Sequence, residues 1–522
     1  METIDFGPFL GINTRRNAFS LKTGEGQYLL SADNVDIDNA GTIRRRRGVT
    51  LAQSMTNPHS LHIATTSSAF LVRNSVLYAV TLPSYSETLV KILSSDARMN
   101  FVSIGSDWYY SNGTDSGRVL AGTRYPMALA TPAKPTLTSL GGADGSKQVA
   151  ISYVNASTGE EGGISAASLL QNAGDIRVSL PGAVDGATHI NVYVSEVNGS
   201  VPKLHSTVAV GTSLVDVSTP GTGKQSSMRF EAPLPAGTLF YSDGRLCSIA
   251  GNFVYIGIPF RPGYYLPSEG YIEFPSAVSI AIGNQGGTYI AADKTYFIPG
   301  DLGNVQDKIR EVLPYGAVPG TTFHTPDKAI VGWFGHMGFV LADTSGGVSA
   351  PMADKVDVTP PDIGTASICE CVGYTRVSSC GYTMNLDTKA VTTYSGHDFT
   401  SVSRCYATKA TGLYKTDTDD AMSASIGFGK HDFGIDKRKS MPCIYIGVDS
   451  PNVMNMQIKA PGMDYTYPAR ASGADMQIQR IDPGKGLKSN WFDLTLTNTS
   501  GADFTLSKIS FGAKPIARRI EK

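Results

Sequence analysis

Residues 278–300 read VSIAIGNQGGTYIAADKTYFIPG. A short apolar run, a small-residue turn and a second strand rich in Tyr and Ile follow one another, and KTYFI restarts after Asp293. Within GTYIAADKTYFIPG the apolar side chains alternate at period two, the spacing that turns one face of a strand toward a core. The unit recurs, loosely, at LHIATTSSAFLVRNSVLYAV (61–80), MNFVSIGSDWYYSNGTDSGRVL (99–120) and FYSDGRLCSIAGNFVYIG (240–257). It continues at KAIVGWFGHMGFVLADTSGGVSA (328–350), ICECVGYTRVSSCGYTMNLDTKAV (368–391) and SRCYATKATGLYKTDTD (403–419). Units of about 30–45 residues with several strands each suit a β-propeller, because a small sheet cannot bury both faces alone and must stack around an axis. About six or seven blades are expected. A multi-sheet sandwich is the other arrangement the pattern allows.

The series is interrupted between 120 and 237. A Pro-containing linker leads to KQVAISYVN, DIRVSLP, THINVYVSEVNG and TSLVDVST, whose alternation has the rhythm of a fibronectin type III or immunoglobulin-like sandwich. After about 441, NVMNMQIKA, ADMQIQRI, NWFDLTLTNTSG and FTLSKISFGAKPI read as strands of a small terminal sandwich that ends in ARRIEK. The expected fold class is all-β: a β-propeller with an inserted sandwich and a small C-terminal β-sandwich. The expected division is 1–50 as an N-terminal segment with a docking strand-turn-strand, 51–130 and 221–440 as propeller, 131–220 as the insert and 441–522 as the terminal sandwich.

Composition agrees with short strands and tight turns. Of 522 residues, 56 are Gly and 28 Pro, and only 17% are charged. The 44 basic and 45 acidic residues leave a net charge of −1, without the basic excess that phosphate binding normally carries. The start, METIDFGPFLGINTRR, lacks the basic and apolar regions of a signal peptide, and no run of 18 apolar residues occurs. Synthesis in a cytoplasm, no membrane insertion and reduced cysteines are therefore expected.

Motifs that would carry chemistry are incomplete. A calcium loop starting at Asp36 would use Asp38, then Ala40 where an oxygen is needed, and would end on Arg47 instead of Glu. KTDTDDA (415–421) clusters carboxylates without a Gly hinge and reads as a solvated turn. In PGTGKQS (220–226) Ser218 and Gln225 break the P-loop pattern. ADTSGGVS (342–349) resembles a protease nucleophile loop but has Ala342 and an extra Thr344, so it reads as a turn between blade strands. Cys369 and Cys371 lack zinc-knuckle spacing and read as buried blade cysteines. The eight histidines form no i, i+4 metal pair, and no cofactor, metal or catalytic residue is expected.

The run Arg44, Arg45, Arg46 and Arg47 follows the acidic NVDIDNAGTI. On a strand these side chains would alternate, Arg44 and Arg46 on one face, Arg45 and Arg47 on the other. A solvated edge strand, an inter-subunit contact with carboxylates and a nucleic-acid contact all remain open.

FLGINTRRNAFSLKTGEGQYLLSADNVDIDNAGTIRRRRG resembles the start of tailed-bacteriophage tail nozzle (tail tubular protein B-like) proteins and the related packaged-DNA stabilisation proteins. The matched positions are Gly11, Asn13, Ala32, Asn34, Ile37, Gly41, Ile43, Arg46 and Gly48. RRRRG stands where a shorter Arg pair or Arg-Pro would be expected. The resemblance covers about 40 residues specifically and implies a non-enzymatic virion protein, a subunit of a sixfold ring below the portal and adaptor. Phage DNA would pass its lumen without sequence-specific binding. It implies further partners among the tail proteins, a place in the virion tail after assembly in the host cytoplasm, and Arg44–Arg47 at inter-subunit contacts. A glycan-binding or glycan-cleaving propeller, such as a tail-spike depolymerase, is the alternative. Its expected exposed Trp cluster is missing, since Trp108, Trp333 and Trp491 lie in separate units. A scaffold propeller unrelated to phage is the remaining one.

Overall fold

The computed structural model describes residues 2–516 apart from 143–144, 172–173, 226–229, 306–307 and 485. The terminal ARRIEK and part of PGTGKQS lie outside the described residues. Every regular element among them is a β-strand.

Seven antiparallel sheets follow one another as blades. Blade 1 is His59–Ile63, Ser68–Arg73, Val76–Thr81 and Glu87–Ile92. Blade 2 is Asn100–Ile104, Asp107–Ser111, Ser116–Leu120 and Thr123–Tyr125. Blade 3 runs Thr238–Ser242, Arg245–Ala250, Phe253–Ile258 and Arg261–Tyr265, with Ala232–Pro233 and Tyr271–Glu273 added at its margin. Blade 4 is Ile280–Gly283, Gly287–Ala291, Thr295–Pro299 and Arg310–Leu313; blade 5 is Phe323–His324, Val331–Gly335, Gly338–Ala342 and Val348–Ser349. Blade 6 is Ala366–Cys371, Tyr374–Ser379, Tyr382–Asn385 and Val391–Thr393.

Blade 7 closes the circle. Its first three strands, Ser401–Ser403, Tyr406–Lys409 and Gly412–Thr418, are completed by Gly48–Ser54 from the start of the chain. The Leu61 and Ile63 amides of blade 1 donate to Ser401 Oγ and Ser403 Oγ of blade 7 at 2.8 and 2.9 Å. Other blades are stitched similarly. Ser242 and Thr288 share a buried hydroxyl hydrogen bond of 2.6 Å, and Tyr289 donates to the Asp343 carbonyl at 2.6 Å. Between blades 4 and 5 the rings of Tyr289, Phe297 and Trp333 fill the gap, with centroids 4.6 and 5.6 Å apart.

The insert is a two-sheet sandwich. Thr136–Gly141, Asp175–Ser179 and Leu214–Val217 form one sheet; Glu160–Glu161, Ser146–Asn155, Ser168–Gln171, His189–Val194 and Lys203–Ala209 form the other. Its core is aliphatic, with Val149, Ile151, Ile176, Val178, Ile190 and Val192 buried between the sheets. Its first and last strands share the small sheet, whereas in an immunoglobulin domain they lie in different sheets. The Arg177–Asp216 fork, 2.7 Å on each arm, fastens the last strand where it is. Glu160 docks the insert on the propeller through Arg118 of blade 2 and Tyr264 of blade 3, the latter at 2.6 Å.

The terminal sandwich differs from the expected boundaries. Residues 2–45 are not a separate docking segment, and the sandwich begins near 425. Glu2–Phe6, Val35–Ile37 and Ile43–Arg45 join the sheet of Lys439–Ser450, Gly473–Ile481, Lys488–Ser489 and Thr505–Pro515. Ser31–Asp33 pairs with Ser425–His431 on one side and touches blade 6 at Asp33–Thr393 on the other. One nine-stranded sheet therefore runs from blade 6 into the sandwich. Burial decides this: Phe6, Ile37 and Ile43 pack in the same core as Phe428, Ile444, Phe511 and the blade-5 residues Phe334 and Phe339.

Gly11 tests how tightly this junction is built. It adopts φ +96°, and a Cβ there would stand 2.5 Å from the Val391 amide nitrogen. Gly11→Ala is expected to destabilise the protein by about 1–3 kcal/mol in urea unfolding, with the far-ultraviolet spectrum unchanged below the transition.

Candidate functional site

The arginine run divides in two. Ile43–Arg45 is a strand, and its alternation stops there, so Arg46 does not share the face of Arg44. Arg44 and Arg47 are more than half exposed and lie 3.4 and 3.2 Å from Asp38 and Asp419. Arg45 and Arg46 are buried, 7% and 3% exposed. Their partners are within the chain, which removes both from the expected inter-subunit contact. Arg45 reaches Asp503 Oδ1 at 3.2 Å and donates to the Asp420 carbonyl at 2.7 Å. Arg46 donates to the Ser395 carbonyl at 3.0 Å and lies over the Tyr394 ring, 4.4 Å from its centroid. Packing forces the arrangement, because a chain that leaves the sandwich sheet for blade 7 must cross the top of blade 6.

Sequence reading missed the centre of this seam. Arg376, on the second strand of blade 6, donates to Asp36 at 2.7 Å and also to Asp417. Tyr394 donates to the other oxygen of Asp36. Three distant segments are thereby joined: the N-terminal strand with Asp36, blade 6 with Arg376 and Tyr394, and blade 7 with Asp417. KTDTDDA is thus not a freely solvated turn; Asp417, Asp419 and the Asp420 carbonyl face three of the chain's arginines. Burial works against the charge of Arg376, but Tyr394, Asp36 and Asp417 outweigh it and hold its pKa well above the usual value. Burial lowers that of Arg46. His397, beside both arginines, is pushed down to about 3 by burial and their charge, so its ring is neutral. The available signal was complementary charge, RRRR against DTDD, separated by some 370 residues.

The thiol pair also differs from expectation. Cys369 and Cys371 are half-exposed at the inner strand of blade 6, and all six cysteines are free. The neighbouring Cys369 thiol and the Arg376 charge lower the Cys371 pKa to about 7. ADTSGGVS is the expected turn: Asp343 Oδ1 accepts from Ser345 N, Ser345 Oγ and Gly347 N at 2.7–2.9 Å. Among the described residues no cluster of three or more His, Cys, Asp or Glu is placed to hold a metal.

A second feature is the propeller axis. The inner strands of blades 1 to 5 enclose a cavity of about 730 Å³. Its wall carries Asn100, Phe101, Ser103, Tyr241, Thr322 and His324, and its charged residues are Asp243 and Lys328. His62 stacks on Phe101 with ring centroids 5.1 Å apart, and burial and Arg404 push its pKa to about 4. His324 Nε2 donates to the Gly283 carbonyl, 3.0 Å away, and burial lowers its pKa.

No family model matches the chain, and no curated protein does either. Several solved structures resemble it, among them these three. A chain in the mitotic checkpoint complex aligns over 72% of this chain and 95% of its own, with 8% identity and a TM-score of 0.31. YCF48 bound to a D1 peptide aligns over 66% and 94%, with 10% identity and a TM-score of 0.26. Hsv2 of Kluyveromyces lactis aligns over 63% and 94%, with 7% identity and a TM-score of 0.25. At such values the likenesses say nothing of function, and the propeller is shown by its own strand circuit.

Two outcomes check the seam. Arg376→Leu leaves Asp36 and Asp417 facing each other without their cation, and should cost about 3–5 kcal/mol in urea unfolding. Arg44→Gln should stay within about 0.5 kcal/mol. Iodoacetamide alkylation read by peptide mass spectrometry should rise at Cys371 through a midpoint of about pH 7, because the thiolate is the nucleophile. Cys247, pushed up to about 12 by burial, should stay unmodified over the same range.

Proposed function

We propose that this chain is a structural virion protein, one subunit of a ring-shaped tail nozzle through which a tailed bacteriophage passes its DNA below the portal and adaptor. One observation carries the reading: all nine motif positions of the phage-like segment are buried where the N-terminal segment folds into the body of the protein. Ala32, Ile37 and Ile43 are buried in the shared core. Asn34 takes φ 57° and donates to the Ser423 carbonyl. Buried Asn13 accepts from the Arg16 amide at 3.0 Å, and Arg46 lies over Tyr394. Gly11, Gly41 and Gly48 each have backbone or proline atoms within 2.5 Å of where a Cβ would stand. The motif is thus the fastener of an N-terminally closed propeller rather than a ligand site.

The surface supports assembly. Phe260 and Val372, at hairpin tips three blades apart, are 97% and 94% exposed. Both tips are free to serve as contact points for neighbouring subunits. A ring built head to tail needs two different faces on each subunit. The charge balance suits a conduit, since a strongly basic lumen would retain the duplex through counterion release.

Negative-stain imaging and native mass measurement of concentrated protein are expected to show closed rings with an axial hole, sixfold by resemblance. Phe260→Asp together with Val372→Asp should shift the sample to monomers with an unchanged melting temperature. A wild-type protein that stays monomeric at all concentrations, including when mixed with portal-bearing heads, would overturn the ring assignment.

A further inference from the structure

We propose that the axial cavity is a binding site for a neutral, hydroxyl-rich ligand, an oligosaccharide. This inference stands apart from the ring reading, because it rests on the interior of one propeller and not on contacts between copies.

The cavity is built rather than residual. Its volume of about 730 Å³ falls in the range of small-ligand sites. Five blades, not seven, supply its wall, so it lies to one side of the axis. The innermost strands Asn100–Ile104, Thr238–Ser242, Ile280–Gly283 and Phe323–His324 each end the strand order of their sheets. Each therefore turns one unpaired edge of alternating amide and carbonyl groups toward the axis.

The side chains repeat this mixture. Asn100, Ser103, Gln285 and Thr322 offer neutral donors and acceptors together. A sugar hydroxyl, donor and acceptor at once, satisfies such a wall, whereas a carboxylate or phosphate would leave its acceptors facing the ligand's own. The charges give an ion no preference: Asp243 and Lys328 offset one another, and His62 and His324 are both held neutral. Tyr241, 43% exposed, adds an aromatic face on which a sugar ring can lie. Hydrolysis does not follow, because glycoside cleavage generally takes a pair of carboxyl groups and Asp243 is the one that lines this wall.

The test uses saturation-transfer NMR on the full chain with maltotriose, chitotriose and, as an anionic control, N-acetylneuraminic acid. Transfer to at least one neutral trisaccharide and none to the acid is expected. Ser103→Trp, at an exposed strand position on the wall, should diminish transfer by intruding on the cavity. Tyr241→Ala should weaken it about tenfold, with both variants melting as the wild type does. No transfer from either trisaccharide, transfer from the acid alone, or transfer undiminished in both variants would overturn the proposal.

Discussion

A circle of sheets has no natural end, so the two ends of the propeller must be fastened to each other. Here the fastener is Gly48–Ser54 lying against Gly412–Thr418, two strands more than 350 residues apart. Closing a loop of that length costs conformational entropy that grows only slowly with length but is large from the outset. A single outer strand with Leu51 48% exposed is thin payment for it. The chain adds the terminal sandwich, whose sheets are built partly from residues 2–45, and the polar seam beneath the crossing. Blades 5 and 6, the sandwich and the first fifty residues consequently share one core, and the ring is held from its rim as well as from its last blade.

The seam accounts for two of the four consecutive arginines, Arg45 and Arg46. Extended chain places neighbours on opposite faces, but this chain turns after Arg45, so two guanidinium groups go inward and two outward. The inward pair meets carbonyls, the Tyr394 ring and Asp503; Arg376 completes the set between Asp36 and Asp417. Ion pairs buried in this way add little net stability over apolar packing, yet losing one partner is costly.

Much of the propeller was legible in the sequence because its signal is local. Each blade is a hairpin series of short apolar strands and tight turns, and the seven recurring stretches from 61–80 to 403–419 coincide with the seven blades, although strands such as Gly287–Ala291 are buried at every position instead of alternately. The insert was legible for the same reason, through SYVN, DIRVS and INVYV. What escaped was non-local. Nothing near Arg376 in YTRVSS marks it as the hub of a network, because its partners lie 340 and 41 residues away. The N-terminal segment looked separate because strands of three residues, such as Ser31–Asp33 and Val35–Ile37, carry too short a pattern to reveal a sheet completed by residues near 425 and 505. The axial cavity escaped too, since its wall takes one strand from each of five blades.

Hydrogen exchange measured by mass spectrometry on the native protein tests the closure most directly. If Gly48–Ser54 fastens the ring, its amides and those of Gly412–Thr418 exchange together, with the same opening free energy as the core strand Ser68–Arg73 of blade 1. Exchange of Gly48–Ser54 through a separate opening of much lower energy, with the blades still protected, would contradict the account.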